Sequence, residues 1–198
     1  MNKEVRFSAP VEVRAQDEAS GTVRVEGYAM VYNERANIAD MFEEVIAPGA
    51  LDGRLGDDVT FLVNHRDLPL ARTTSGTLAL SLDAHGLRMS SELDLSDPDV
   101  ARIVPKMKRG DLSKMSFSFE VDVDEWDQGG EIPLRTIKKI GRLWDVAIVT
   151  DPAYSGTEIA LRNLQTQKDA AQAVADAALA QTVADDKARR ARIIALTE

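Results

Sequence analysis

From the N-terminus to about residue 162, apolar and polar residues alternate with a period of two in short runs that are broken by turn-forming residues. Val5, Phe7, Val11 and Val13 share one phase, and after Asp17–Gly21 so do Val23, Val25, Ala29 and Val31. A two-residue period is the repeat of a strand with one buried face, so these two runs read as a hairpin. Thr60–Asn64 is a further short strand. Leu78–Leu82 and Leu87–Leu93 flank Asp83–Gly86, a hairpin turn in which Gly86 is expected to supply a positive φ. Met115–Val123 alternates cleanly, and Arg142–Thr150 is the most apolar strand candidate.

Two helices are expected among the strands. One covers Pro48 to Leu55. The other runs from Pro98 to Arg109, with Ser96 or Asp97 as N-cap, Pro98 in the first turn and Gly110 as the stop. Pro105 lies inside the second helix and is expected to kink or split it. The fold class is therefore α+β, mainly β: a closed or partly closed barrel of about seven strands with surrounding helices. Beyond about Arg162 the texture changes. Gln167–Arg192 is rich in Ala and free of Gly and Pro, which favours a helix. Its apolar stripe of Val174, Ala178, Val183 and Ile194 is ragged, as in an exposed or partner-dependent helix. The domain reading is 1–161 for the main domain and 162–198 for an Ala-rich helical or partly disordered tail.

Composition removes several classes of function. Apolar residues make up 44% and charged residues 29%, enough to close a core and too polar for a membrane protein. No run approaches the roughly 18 apolar residues of a spanning helix, and the first fifteen residues, Met1–Ala15, lack the apolar run of a secretion signal. With no Cys there is no disulfide framework, no thiolate nucleophile and no Cys-based zinc site. Lys plus Arg number 24 against 33 Asp plus Glu, a net charge of −9 that repels phosphate backbones and disfavours a nucleic-acid partner. Phosphate-binding glycine loops, His-Glu-x-x-His and Gly-x-Ser-x-Gly are all absent from the sequence.

Few residues remain that carry chemistry. The chain has two histidines, His65 and His85, and a general base working at neutral pH is expected to be one of them. His85 sits in the Asp83–Gly86 turn and reads as a solvated turn residue. His65 follows Thr60–Asn64, and period-two phase puts it on the face of Phe61 and Val63, where it is either a core histidine or a catalytic one. In Met115–Phe119, Ser116 and Ser118 share the polar face with Glu120, opposite Met115, Phe117 and Phe119. Asp145 is a lone carboxylate in the apolar run Arg142–Val149, on the phase of Leu143, Ala147 and Val149. Burying it ionised requires a partner: a histidine, Arg142 or backbone amides. His65, Ser116 and Asp145 thus form a candidate base, nucleophile and orienting acid.

A series of motifs gives these residues a context. The chain resembles the prohead (capsid maturation) serine proteases of tailed bacteriophages and gene transfer agents, relatives of the herpesvirus assemblin proteases. The likeness is carried by Val25–Ala29, Glu44–Leu51, Phe61–His65, Ser75–Leu78, Gly86-Leu87, Gly110–Phe119 and Leu143–Tyr154. It spans about residues 22–160 and does not reach the tail. The resemblance implies a herpesvirus-protease-like β-barrel and serine endopeptidase activity, with His65 as base and Ser116, rather than Ser118, as nucleophile. The family's late strand usually reads Glu-Val-Ser-Leu-Val; here it is Asp145-Val146-Ala147-Ile148-Val149, so a shorter carboxylate stands in the third catalytic position. No metal or organic cofactor is implied. The implied substrates are the scaffold protein, or the scaffolding segment of the major capsid protein, and the protease itself, with action inside the procapsid in the host cytoplasm. Relatives that dimerise make a homodimer an expectation, and neither nucleic acid nor membrane is an expected partner. Two other readings of the same residues stay open: a catalytically inactive capsid-assembly module, and an esterase-like hydrolase.

Overall fold

The computed structural model describes residues 3–17, 21–150, 165–166, 168–170 and 172–184, with the main chain alone for 7–17. The chain divides into two units, Met1–Ile159 and Ala160–Glu198. In the second, the described residues between 165 and 184 are helical, and Val174 and Val183 are exposed. The remainder of the expected tail helix, to Arg192 and with Ile194, lies outside the described residues. No helix among the described residues is long and apolar enough to cross a membrane.

The first unit is mainly β. Its elements are β1 (Lys3–Asp17), β2 (Thr22–Val31), β3 (Ala36–Ile38), β4 (Phe42–Ile46), β5 (Thr60–Val63), β6 (Arg66–Arg72), β7 (Leu78–Leu82), β8 (Gly86–Asp94), α1 (Pro98–Arg109), β9 (Lys114–Asp127) and β10 (Leu134–Val149). Strand pairing follows the order β3-β4-β10-β9-β1-β2-β8-β7, with β5 on β10 and β6 on β5. Long strand β1 joins the two halves: Lys3–Pro10 pair with β9, and Val11–Asp17 pair with β2. The sheets are mixed, because β4 and β5 both run parallel to β10 while the other pairs are antiparallel. Among the described residues the path is open, β3 and β7 standing at its two ends. The expected barrel of about seven strands is thus ten strands in mixed sheets that do not close. Three of the additional strands, β3, β4 and β6, are short or carry an interior Pro (Pro69), and so leave little periodic signal.

Helix α1 follows its expected bounds. Asp97 caps it by accepting from the Asp99 N–H, and Gly110 ends it at φ 84°. The helix continues through Pro105, and Val100, Ile103, Val104 and Met107 bury one face. The expected helix Pro48–Leu55 is not formed. That stretch is a succession of i→i+3 turns, Ala50 to Ala47, Asp52 to Gly49 and Arg54 to Leu51, with Gly49 and Gly53 at positive φ. Two left-handed residues in one short span break the helical ladder. The β7–β8 turn also differs in detail. The Asp83 carboxylate accepts the N–H groups of His85 and Gly86, and Gly86 has no positive φ. It is glycine because a Cβ there would stand 2.0 Å from the Met30 carbonyl oxygen. His85 is exposed, with its ring edge-on to Tyr28.

The core gathers Phe61, Val146, Ile148, Met115, Phe117 and Phe119 on one face of the β5-β10-β9 ladder. At its margin lies a buried ion network. Arg6 meets Glu44 at 2.5 Å and Glu4 at 2.6 Å, while Arg135 meets Glu4 at 2.7 Å, Glu44 at 2.9 Å and Asp124 at 2.7 Å. Burial alone would lower the pKa of Arg135, but hydrogen bonding to Glu4 and the charge of Glu44 hold it above the usual arginine value. Four strands, β1, β4, β9 and β10, are locked in register by these side chains. Arg135→Leu removes the donors that Arg135 gives to the buried Glu4 and Glu44, and is expected to cost about 3–5 kcal/mol in chemical denaturation. A loss no larger than that of an exposed ion pair would show that the network does not hold the strands.

Candidate functional site

The β5–β6 connection is a two-residue hairpin. Val63 pairs with Arg66, and the residues between, Asn64 and His65, have φ 51° and 58°. Positive φ at both central positions is what a primed two-residue turn requires, and Asn is among the residues that tolerate it. Asn64 is tied to the end of β10: its N–H donates to Ile148 O at 2.9 Å, and its Oδ1 accepts from the Thr150 N–H at 3.0 Å. The strand therefore ends at Val63, and the expected phase of His65 with Phe61 and Val63 does not hold. The turn carries the imidazole to the opposite face, where it meets Asp145 and Ser116.

A second departure from simple phase sits in β10. The register slips between Leu143, opposite Phe119, and Asp145, opposite Ser118. Directly opposed residues share a face, so this bulge puts Leu143 with the core phenylalanines and Asp145 with Ser118, Ala147 and Ser116. The bulge thus takes Asp145 off the face of Leu143. Without that slip the carboxylate would point into the Phe117–Phe119 core.

The three expected residues come together. His65 Nδ1 lies 2.5 Å from Asp145 Oδ1, and His65 Nε2 lies 2.6 Å from Ser116 Oγ. The Ser116 hydroxyl also stands 2.8 Å from the Arg6 carbonyl oxygen. A hydroxyl has one proton, so its two contacts alternate with the charge on His65. With the imidazole neutral and its Nδ1–H on Asp145, Ser116 donates to Nε2. With the imidazole protonated, Nε2–H donates to Ser116, which then donates to Arg6 O. The serine and the acid are buried, at 0% and 2% exposure, whereas the His65 side chain is 14% exposed.

Two partners of Asp145 were not among the expected set. Ser118 Oγ donates to its Oδ2, and Lys3 Nζ lies 2.7 Å from the same oxygen. Arg142, an expected partner, instead stacks on the Trp144 ring at 3.5 Å. Ser118 was within reach of the sequence pattern, because it shares the face of Ser116. Lys3 was not, since nothing local links residue 3 to residue 145. Burial by itself would raise the Asp145 pKa, and the hydrogen bonds from His65, Lys3 and Ser118 bring it below the usual carboxylate value. No group of His, Asp and Glu suited to a metal ion occurs among the described residues.

A family model described as caudovirus prohead serine protease matches residues 9–172. No curated protein and no solved structure matches the chain. Lys3, Glu4 and Arg6 thus precede the matched region, although they contact its most buried charges.

A depressed pKa means that folded Asp145 binds its proton less readily than the unfolded chain does. Its contribution is present above the ordinary carboxylate range and is lost as pH falls through the depressed value. Asp145→Asn is therefore expected to be less stable than wild type at neutral pH, with the gap narrowing toward acid, in urea titrations across pH. A gap that stays constant or widens on acidification would contradict the assignment of Asp145 as an ionised, donor-stabilised group.

Proposed function

The chain belongs to the caudovirus prohead serine protease family, and from that premise we propose that it is a serine endopeptidase of capsid maturation in which Ser116, His65 and Asp145 do the chemistry. The observation that carries this reading is the continuous relay Asp145–His65–Ser116, with contacts of 2.5 and 2.6 Å. A non-catalytic assembly module has no need for a buried serine, an imidazole and a carboxylate in line.

His65 Nε2 takes the Ser116 proton as Oγ attacks the scissile carbonyl carbon, and the carbonyl π electrons move onto oxygen. Asp145 fixes the tautomer with Nδ1 protonated and stabilises the imidazolium that forms. Collapse of the tetrahedral species breaks the C–N bond, and Nε2–H protonates the leaving amine. Water, deprotonated by the same nitrogen, then releases the acyl group from Ser116. Ser118 and Lys3 act as positioning residues: they occupy Oδ2, so that Oδ1 is left to His65. The carboxylate is one methylene shorter than the Glu usual in this family, and the Ser118 hydroxyl and the Lys3 ammonium hold it in place. The substrates are the scaffold protein or the scaffolding segment of the major capsid protein, met inside the procapsid, with cleavage of the protease itself a further reaction of the same site.

Co-expression with the neighbouring capsid and scaffold proteins tests the reading. Fragment masses seen with wild type and absent with Ser116→Ala are expected, while a Ser116→Ala chain that processes at the normal rate would refute it. Asp145→Asn is expected to lower kcat on the order of 10⁴-fold by permitting the wrong tautomer.

A further inference from the structure

The end of the sheet that carries His65 also carries a groove of about 510 Å³ between β6 and α1, a size within the ~300–1,000 Å³ of ordinary ligand clefts. Its apolar walls come from Val63, Leu68, Leu70, Ile103 and Leu112. Leu68 is 73% exposed, a large apolar side chain left in the open beside this groove. Three cations and two carboxylates line the rim. Arg102 is taken up by Asp99 at 3.0 Å, whereas Arg66 makes no ion pair among the described residues. Among the described residues, Lys106 reaches only the Arg102 carbonyl. On a chain of net charge −9, this rim is locally cationic.

Position ties the groove to the catalytic relay. Val63 and Arg66 are the two residues that close the Asn64-His65 turn, and Thr150, also on the groove, is the residue bound by Asn64. Because His65 is the exposed member of the relay, a scissile bond arrives from the His65 side. Polypeptide extending from that bond past the Asn64-His65 turn would meet the groove that Val63, Arg66 and Thr150 line. The outer edge of β6 has no strand partner among the described residues, and a sheet edge of this kind is where an extended segment can add by main-chain hydrogen bonds.

We infer that the groove between β6 and α1 is a substrate subsite for an extended, acidic polypeptide segment, which sets apolar side chains against Val63, Leu68 and Ile103 and a carboxylate against Arg66 and Lys106. This deepens the protease reading and rests on it for the identity of the occupant, though binding is separable from turnover.

The test uses the full-length Ser116→Ala chain and short fluorescein-labelled peptides: one of alternating Leu and Glu, one with Lys for Glu, and one with Ser for Leu. The Leu/Glu peptide is expected to bind most tightly. Arg66→Glu with Lys106→Glu should shift the preference toward the Leu/Lys peptide by about tenfold or more, and Leu68→Ser should weaken both Leu-containing peptides. Binding that ignores these substitutions overturns the subsite. So does charge-swap-sensitive dimerisation without peptide binding, which would make a second copy of the chain the occupant. Turnover by the Ser116-intact chain is scored separately. Groove-dependent binding with no cleavage would sink the protease reading and leave the subsite standing, whereas cleavage unaffected by the substitutions would do the reverse.

Discussion

An ionised carboxylate in the middle of a sheet is expensive to desolvate and stays charged only when donors surround it. Asp145 is 2% exposed and meets that condition from three directions: His65 on one oxygen, and Ser118 and Lys3 on the other. Each donor comes from a different element, the β5–β6 turn, β9 and β1. The charge therefore fixes where these three elements lie relative to β10. Remove the bulge after Leu143 and the carboxylate turns into the phenylalanine core; lengthen the Asn64-His65 turn and the imidazole loses its aim. The local irregularities of the fold are the places where the relay is made.

Strand β1 has a part in this that its place at the start of the chain conceals. On one face Glu4 and Arg6 enter the buried network with Glu44 and Arg135. On the other, Lys3 reaches Asp145, and the Arg6 carbonyl accepts the Ser116 hydroxyl when His65 is charged. The ion network resists slippage, because a shift of one residue would bury Glu4 and Arg6 against the wrong face. That same resistance holds Lys3 and the Arg6 carbonyl in register with the serine. A structural device thus sets the position of the groups that contact Ser116 and Asp145.

The sequence made some of this legible and hid the rest for physical reasons. Hairpins β1–β2 and β7–β8, helix α1 with its Asp97 cap and Gly110 stop, and the division of Met115–Phe119 into a serine face and a phenylalanine face all follow from local period and capping. His65 as one of two histidines, Ser116 on the polar face of its strand and Asp145 as a lone carboxylate in an apolar run stood out as candidates too, backed by ordered family motifs. The faces of His65 and Asp145 were not legible. Phase arguments assume an unbroken strand, and both His65 and Asp145 sit where the strand is broken, one by a left-handed turn and one by a bulge. Short strands β3 and β4, and β6 with its interior Pro69, carry too few alternating residues to be seen. The open sheet reflects pairings between distant strands that local pattern does not encode. Pro48–Leu55 looked helical by composition, but the left-handed Gly49 and Gly53 make it a run of turns. Lys3 on Asp145 is a contact across 142 residues of sequence, and only the folded chain reveals it.

Whether His65 makes Ser116 nucleophilic can be read on the protein alone. Wild-type chain incubated with a fluorophosphonate, digested and mapped by mass spectrometry should carry the adduct on Ser116 and none on Ser118, and His65→Gln should lose the adduct while remaining folded. Labelling of Ser118, no labelling of the folded wild type, or labelling of Ser116 that persists undiminished in His65→Gln would contradict that activation.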